Sequence, residues 1–179
     1  MPSKKNTNGL VLALETSTLR IECCKEVHTY DPILDDLTSV VCDSCEVLAR
    51  SSGIRFVVMF DDDPWSVDVH TDLAVILEQL PAAVRALKTS RSATIDFYEQ
   101  GVQRQLEFSG EGGLVEARCG SAHPNWEAPG TVLQLERGPT VTMLTELGND
   151  FHHLLRQACP ELAAHEWIRE WRAALDAEE

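Results

Sequence analysis

The chain has 179 residues, the size of one ordinary domain, and at 44% hydrophobic it can bury a core without disulfide or metal support. With 29 acidic against 15 basic residues its formal net charge is −14, which argues against nucleic acid and anionic membrane as direct partners, because phosphate binding needs a positive footprint. The same charge suits a basic protein partner attracted by a long-range field.

Residues 1–9 are polar and read as a disordered tail on a single domain spanning 1–179. The apolar run from Leu10 to Leu14 is too short for the core of a signal peptide or for a membrane span, which predicts a cytoplasmic protein with reduced thiols. Leu10–Leu14 reads as a strand, Thr16-Ser17-Thr18 as a turn, and the alternation of Leu19, Ile21 and Cys23 as a second strand paired back on the first.

A helix is signalled next. Asp31 is a candidate N-cap, Pro32 fits the first helical position, and Leu34, Leu37, Val41, Cys45 and Leu48 recur at helical spacing. Gly53 suits its stop. The apolar run Ile54–Phe60 predicts a central strand covered on both faces, broken by Asp61-Asp62-Asp63-Pro64-Trp65, with a short strand over 67–69. A second helix is expected from Thr71 to Lys88, with Pro81 kinking or dividing it because proline lacks the donor.

Three strands follow over 93–119. Ile95 and Phe97, then Leu106 and Phe108, then Leu114, Ala117 and Cys119 alternate with polar residues, separated by Gln100-Gly101 and Gly110-Glu111-Gly112-Gly113. Thr131–Leu135 adds a strand. The last third is helical: Pro139 opens one helix, and Pro160 separates it from a final one carrying Leu162, Trp167, Ile168, Trp171 and Leu175. Strands grouped apart from terminal helices predict an α+β fold. Its sheet should be antiparallel or mixed, with a C-terminal β-meander and helices packed on one face.

No residue pattern of a known catalytic motif stands out. Cys42-Asp43-Ser44-Cys45 has metal-ligand spacing but falls inside the first helix, where the dipole does not lower a thiol pKa. Cys23 or Cys24 could be recruited to complete a zinc site, although as strand neighbours they point to opposite faces. Asp61-Asp62-Asp63 could hold a hard cation with His70 or His123, yet it lacks the glycine and distal glutamate of a calcium loop. Contact with a basic partner is easier to support there, with Trp65 in the same break and Trp126 in the loop over 120–130 as candidate aromatic contacts. Trp167 and Trp171, four residues apart, share a helix face and either dock that helix on its own domain or form an interface anchor.

The combination of DLAVILEQLPAAVRAL, ATIDFYEQGVQRQLEF and CPELAAHEWIREW, over roughly residues 71–172, resembles small bacterial proteins of the immunity type, the antidotes encoded beside polymorphic toxins. The resemblance implies a non-enzymatic inhibitor of a toxin acting in the cytoplasm, without cofactor, and carries over no functional residue. Two other readings are a metal-dependent enzyme or zinc module, using Asp61–Asp63 or Cys42 and Cys45, and a structural subunit that dimerises through a sheet edge or the tryptophan helix.

Overall fold

A computed structural model of the chain describes residues 9–24, 28–98, 103–121 and 130–177. The element order is β1 (Leu10–Arg20), α1 (Leu37–Arg50), β2 (Ser52–Phe60), β3 (Asp63–Pro64), α2 (Asp72–Lys88), β4 (Ala93–Phe97), β5 (Arg104–Ser109), β6 (Leu114–Ser121), β7 (Val132–Glu136), α3 (Arg137–Ala158), α4 (Pro160–Ala163) and α5 (Glu166–Asp176). The fold is α+β with two antiparallel sheets, ordered β1-β2-β3 and β4-β5-β6-β7. Their buried faces join α1, α2, α3 and α5 in one continuous core.

The meander follows its alternation. Ile95 stands opposite Leu106, and Leu106 opposite Cys119; in the next row Ala93, Phe108, Ala117 and Leu133 line up across four strands. All seven of these side chains are buried, while Thr94, Asp96 and Glu107 between them face water. Cross-strand neighbours of this kind fix the register, because a one-residue slip would turn the whole apolar set outward.

The first sheet departs from expectation. Leu10–Arg20 is one strand rather than a hairpin, and it pairs with β2 from Leu10 opposite Phe60 to Arg20 opposite Ser52. The Thr16-Ser17-Thr18 turn signal is absorbed as an irregularity in that pairing, with Thr18 at φ 40°. Gly53 makes it possible. At φ 86° it lets β2 approach so closely that any Cβ would overlap the Ser17 carbonyl oxygen. Gly53 is therefore a strand residue, and α1 already ends at Arg50. β2 is central in its sheet but covered on one face: Phe56, Val58 and Phe60 are buried, whereas Val57 and Met59 are half-buried. Residues 67–69 form no strand, and β3 is the two-residue Asp63–Pro64.

The start of α1 also differs. Asp36, not Asp31, is the N-cap, its carboxylate accepting from Ser39 N, so the helix begins at Leu37. Leu34 consequently lies outside the helix and outside the core.

α2 runs unbroken through Pro81. Proline leaves the carbonyl four residues earlier, that of Leu77, without its intrahelical donor. The Trp171 indole on α5 supplies one: its Nε1 donates to Leu77 O at 2.6 Å. Trp171 is buried and meets Phe151 of α3 edge to face at 5.6 Å. The tryptophan helix thus docks on its own domain, with Trp167 half-buried beside it. Gly148 allows this packing, because a Cβ there would collide with Leu175 of α5.

Arg137, at the β7–α3 junction, is a buried cation that holds carbonyls together. Its guanidinium donates to Leu87 O at 3.0 Å, Gly110 O at 3.0 Å, Gly112 O at 2.5 Å and Leu114 O at 3.1 Å. It ties the β5–β6 turn to the end of α2. Among the described residues, no helix is long and apolar enough to cross a membrane.

Candidate functional site

The described residues between β1 and α1 are tied to the helices at Glu22, Cys24 and Tyr30. Glu22 N donates to Ser51 Oγ at 2.9 Å, and Cys24 N donates to Ala158 O at 2.9 Å. Cys24 forms a disulfide with Cys159, 135 residues away in sequence, with their Cα atoms 5.3 Å apart. The expectation of six reduced thiols therefore fails at two. No spacing rule pairs residues so far apart, and Cys159 arrives only because α3 returns across β1.

Further along the same segment, the Tyr30 hydroxyl donates to Asp43 of α1 at 2.7 Å. Its ring packs edge-on against His28, His165 and Trp167, at centroid distances of 5.1, 5.0 and 6.1 Å. Partial burial and the Asp43 carboxylate both push the Tyr30 pKa well up, so the phenol stays a donor throughout the physiological range.

A self-closed turn follows. Asp31 O accepts from Leu34 N at 3.0 Å and Asp35 N at 2.8 Å, Asp31 Oδ1 accepts from Ile33 N at 2.8 Å, and Asp35 Oδ2 accepts from Asp31 N at 2.8 Å. These bonds hold the backbone so that Ile33 is 90% and Leu34 82% exposed. Adjacent aliphatic side chains on an ordered turn, flanked by Asp31, Asp35 and Asp36, make an apolar tip with an acidic rim. Sequence periodicity placed Leu34 in a buried stripe and passed over Ile33. The competing caps Asp31 and Asp36 were the available signal.

The residues expected at a site are placed as follows. Asp61, Asp62 and Asp63 are exposed on the turn from β2 into β3, where Asp61 takes φ 57°. Asp63 pairs with Arg104 of β5 at 2.8 Å. Trp65 is not on that surface. It is buried, meets Phe97 edge to face at 5.0 Å, and lies under Arg104 at 5.1 Å. Its apolar area is used inside the molecule, so it is part of the core and not an exposed partner contact. Trp126 and His123 lie outside the described residues.

Cys42 and Cys45 belong to no group of three or more converging ligand atoms among the described residues. Cys42 is exposed, while Cys45 points into the core, where burial pushes its thiol well above the ordinary range and disfavours the thiolate a metal would need. Asp61–Asp63 and His70 likewise belong to no group of three converging ligand atoms among the described residues. The group that does converge is Cys24, Cys159 and Glu161, with a Glu161 carboxylate oxygen 3.9 Å from Cys24 Sγ and 3.8 Å from Cys159 Sγ. An open groove of about 390 Å3 is lined by Lys88, Val141, Glu146, Asn149, Leu175 and Asp176.

Comparison of the chain with family models, with curated proteins and with solved structures finds no match to any of them.

Proposed function

We propose that this is a non-enzymatic, acidic binding protein that docks a basic protein partner through the apolar tip at Ile33 and Leu34. The observation that carries the reading is the exposure of those two side chains on a turn closed by its own hydrogen bonds. Two large aliphatic groups held rigidly in water cost free energy that a partner would recover, at about 25 cal/mol per Å2 of apolar surface covered. Because the turn is already ordered, little conformational entropy is lost on docking. The rim aspartates and the net charge of −14 favour a partner with a positive rim around an apolar pocket. The exposed Asp61 and Asp62 extend the acidic surface for the same partner.

Within that class, the specific reading is an immunity-type inhibitor of a bacterial toxin acting in the cytoplasm, the role its sequence pattern resembles. The test is co-expression with the product of the adjacent gene. Growth should stop when that product is made alone and resume when this protein accompanies it. Ile33→Asp with Leu34→Asp should abolish protection while leaving the melting temperature unchanged. A neighbour that is harmless alone, or protection that survives the double substitution, contradicts the proposal.

A further inference from the structure

We infer that Cys24, Cys159 and Glu161 form a zinc site when the Cys24–Cys159 disulfide is reduced. Three potential ligand atoms, from the segment after β1, the α3–α4 junction and α4, lie within 4.8 Å of one another. A zinc tetrahedron built from bonds of about 2.3 Å to sulfur and about 2.1 Å to oxygen has sulfur–oxygen edges of about 3.6 Å and a sulfur–sulfur edge of about 3.7 Å. The two sulfur–oxygen separations, 3.9 and 3.8 Å, are already close to that edge. Only the sulfur–sulfur edge must open, from a covalent bond to ordinary van der Waals separation.

The chemistry balances without further groups. A dithiol reductant transfers two electrons and two protons to the disulfide, giving two thiols and its own cyclic disulfide. Zinc then displaces the two thiol protons, binds both thiolates and the carboxylate, and keeps water in the fourth position. Cys159 is buried and Cys24 half-buried, so the sulfurs are shielded, while the exposed Glu161 leaves an entry path. The mechanical result is the same as that of the disulfide. The chain at Cys24 stays fastened to the α3–α4 junction in an oxidising compartment by a bond, and in a reducing one by a metal.

The test uses the full chain, stripped of metal and reduced under anaerobic conditions with a phosphine that does not itself chelate, and titrates it with Co2+ before displacement by Zn2+. One Co2+ per chain should bind with a thiolate-to-metal charge-transfer band, and the oxidised chain should show none. Cys24→Ser and Cys159→Ser should each remove the band. Glu161→Gln, which leaves the disulfide of the oxidised protein intact, should weaken binding at least tenfold. Cys23→Ser and Cys42→Ser should retain full affinity. No band in the reduced wild-type chain, a band that survives Cys159→Ser, undiminished affinity in Glu161→Gln, or loss of the band on changing Cys23 or Cys42 would each overturn the assignment.

Discussion

Arg137 illustrates at the scale of one residue why a buried charge can be tolerated. Each contact of its guanidinium described above goes to a backbone carbonyl, and three of the four lie in the Gly110–Leu114 turn. Charge-assisted bonds of this type are about twice as strong as neutral ones. Their removal leaves the Leu87 carbonyl of the buried bond without this donor, a penalty that exceeds the net worth of that bond, while the exposed turn residues Gly110, Gly112 and Leu114 can turn to water instead. Arg137→Met should therefore destabilise the protein by about 3 kcal/mol or more. Arg137→Lys, whose three donors sit on one atom, should recover part of the loss. Urea denaturation of both variants measures this, and a cost below about 1 kcal/mol for the methionine variant would contradict the role.

Between elements, the most informative pair is Pro81 and Trp171. A proline in the middle of a helix costs about 3 kcal/mol in isolation, partly through the donor it removes. Here the missing donor is replaced from another helix, so α2 keeps its course and α5 is keyed to it. A double-mutant cycle tests the coupling. Trp171→Phe should cost about 2 kcal/mol in the wild-type background, through the orphaned Leu77 carbonyl and lost area. In a Pro81→Ala background the helix supplies its own N–H, so the same change should cost roughly 1 kcal/mol less. Equal costs in both backgrounds would refute the coupling.

What was legible in the sequence follows the same division between local and distant. The meander was readable because its alternation and its glycine turns are adjacent in the chain. The partnership of β1 with β2 was not, because a nearby turn signal at Thr16–Thr18 competed with a strand more than thirty residues away, and only the Gly53 approach decides between them. The boundary of α1 was misplaced because Asp31 and Asp36 are both competent caps. That error hid the exposed tip, since a helix starting at Pro32 would have put Leu34 on the buried stripe. Trp65, expected at a surface, and Cys24 with Cys159, expected apart, were settled by contacts between segments that no period in the sequence encodes.

For the molecule as a whole, the excess of carboxylates sets the response to pH and salt. Burial raises the pKa of Glu78 above its ordinary value of 4.5, with Asp36 adding to the shift, while hydrogen bonds with Thr38 and Tyr98 oppose it. A carboxyl with a raised pKa binds its proton more tightly in the folded chain than in the unfolded one. Its contribution to stability is full below about pH 4.5 and is lost as pH rises through the folded value. Glu78→Gln should therefore raise the melting temperature at pH 7, and the gain should shrink at pH 4, where the wild-type group is largely protonated in both states. A variant less stable than wild type at pH 7 would contradict the desolvation account. The acidic field should make association with the proposed basic partner faster at low ionic strength.

The central claim, that an ordered apolar tip on an acidic surface is what this protein offers to a partner, is tested most directly by calorimetric titration against the purified product of the adjacent gene. The account predicts a complex of defined stoichiometry, weakened at least tenfold by Ile33→Asp with Leu34→Asp and weakened further by added salt. Absence of a complex, or an affinity indifferent to both changes, would contradict it.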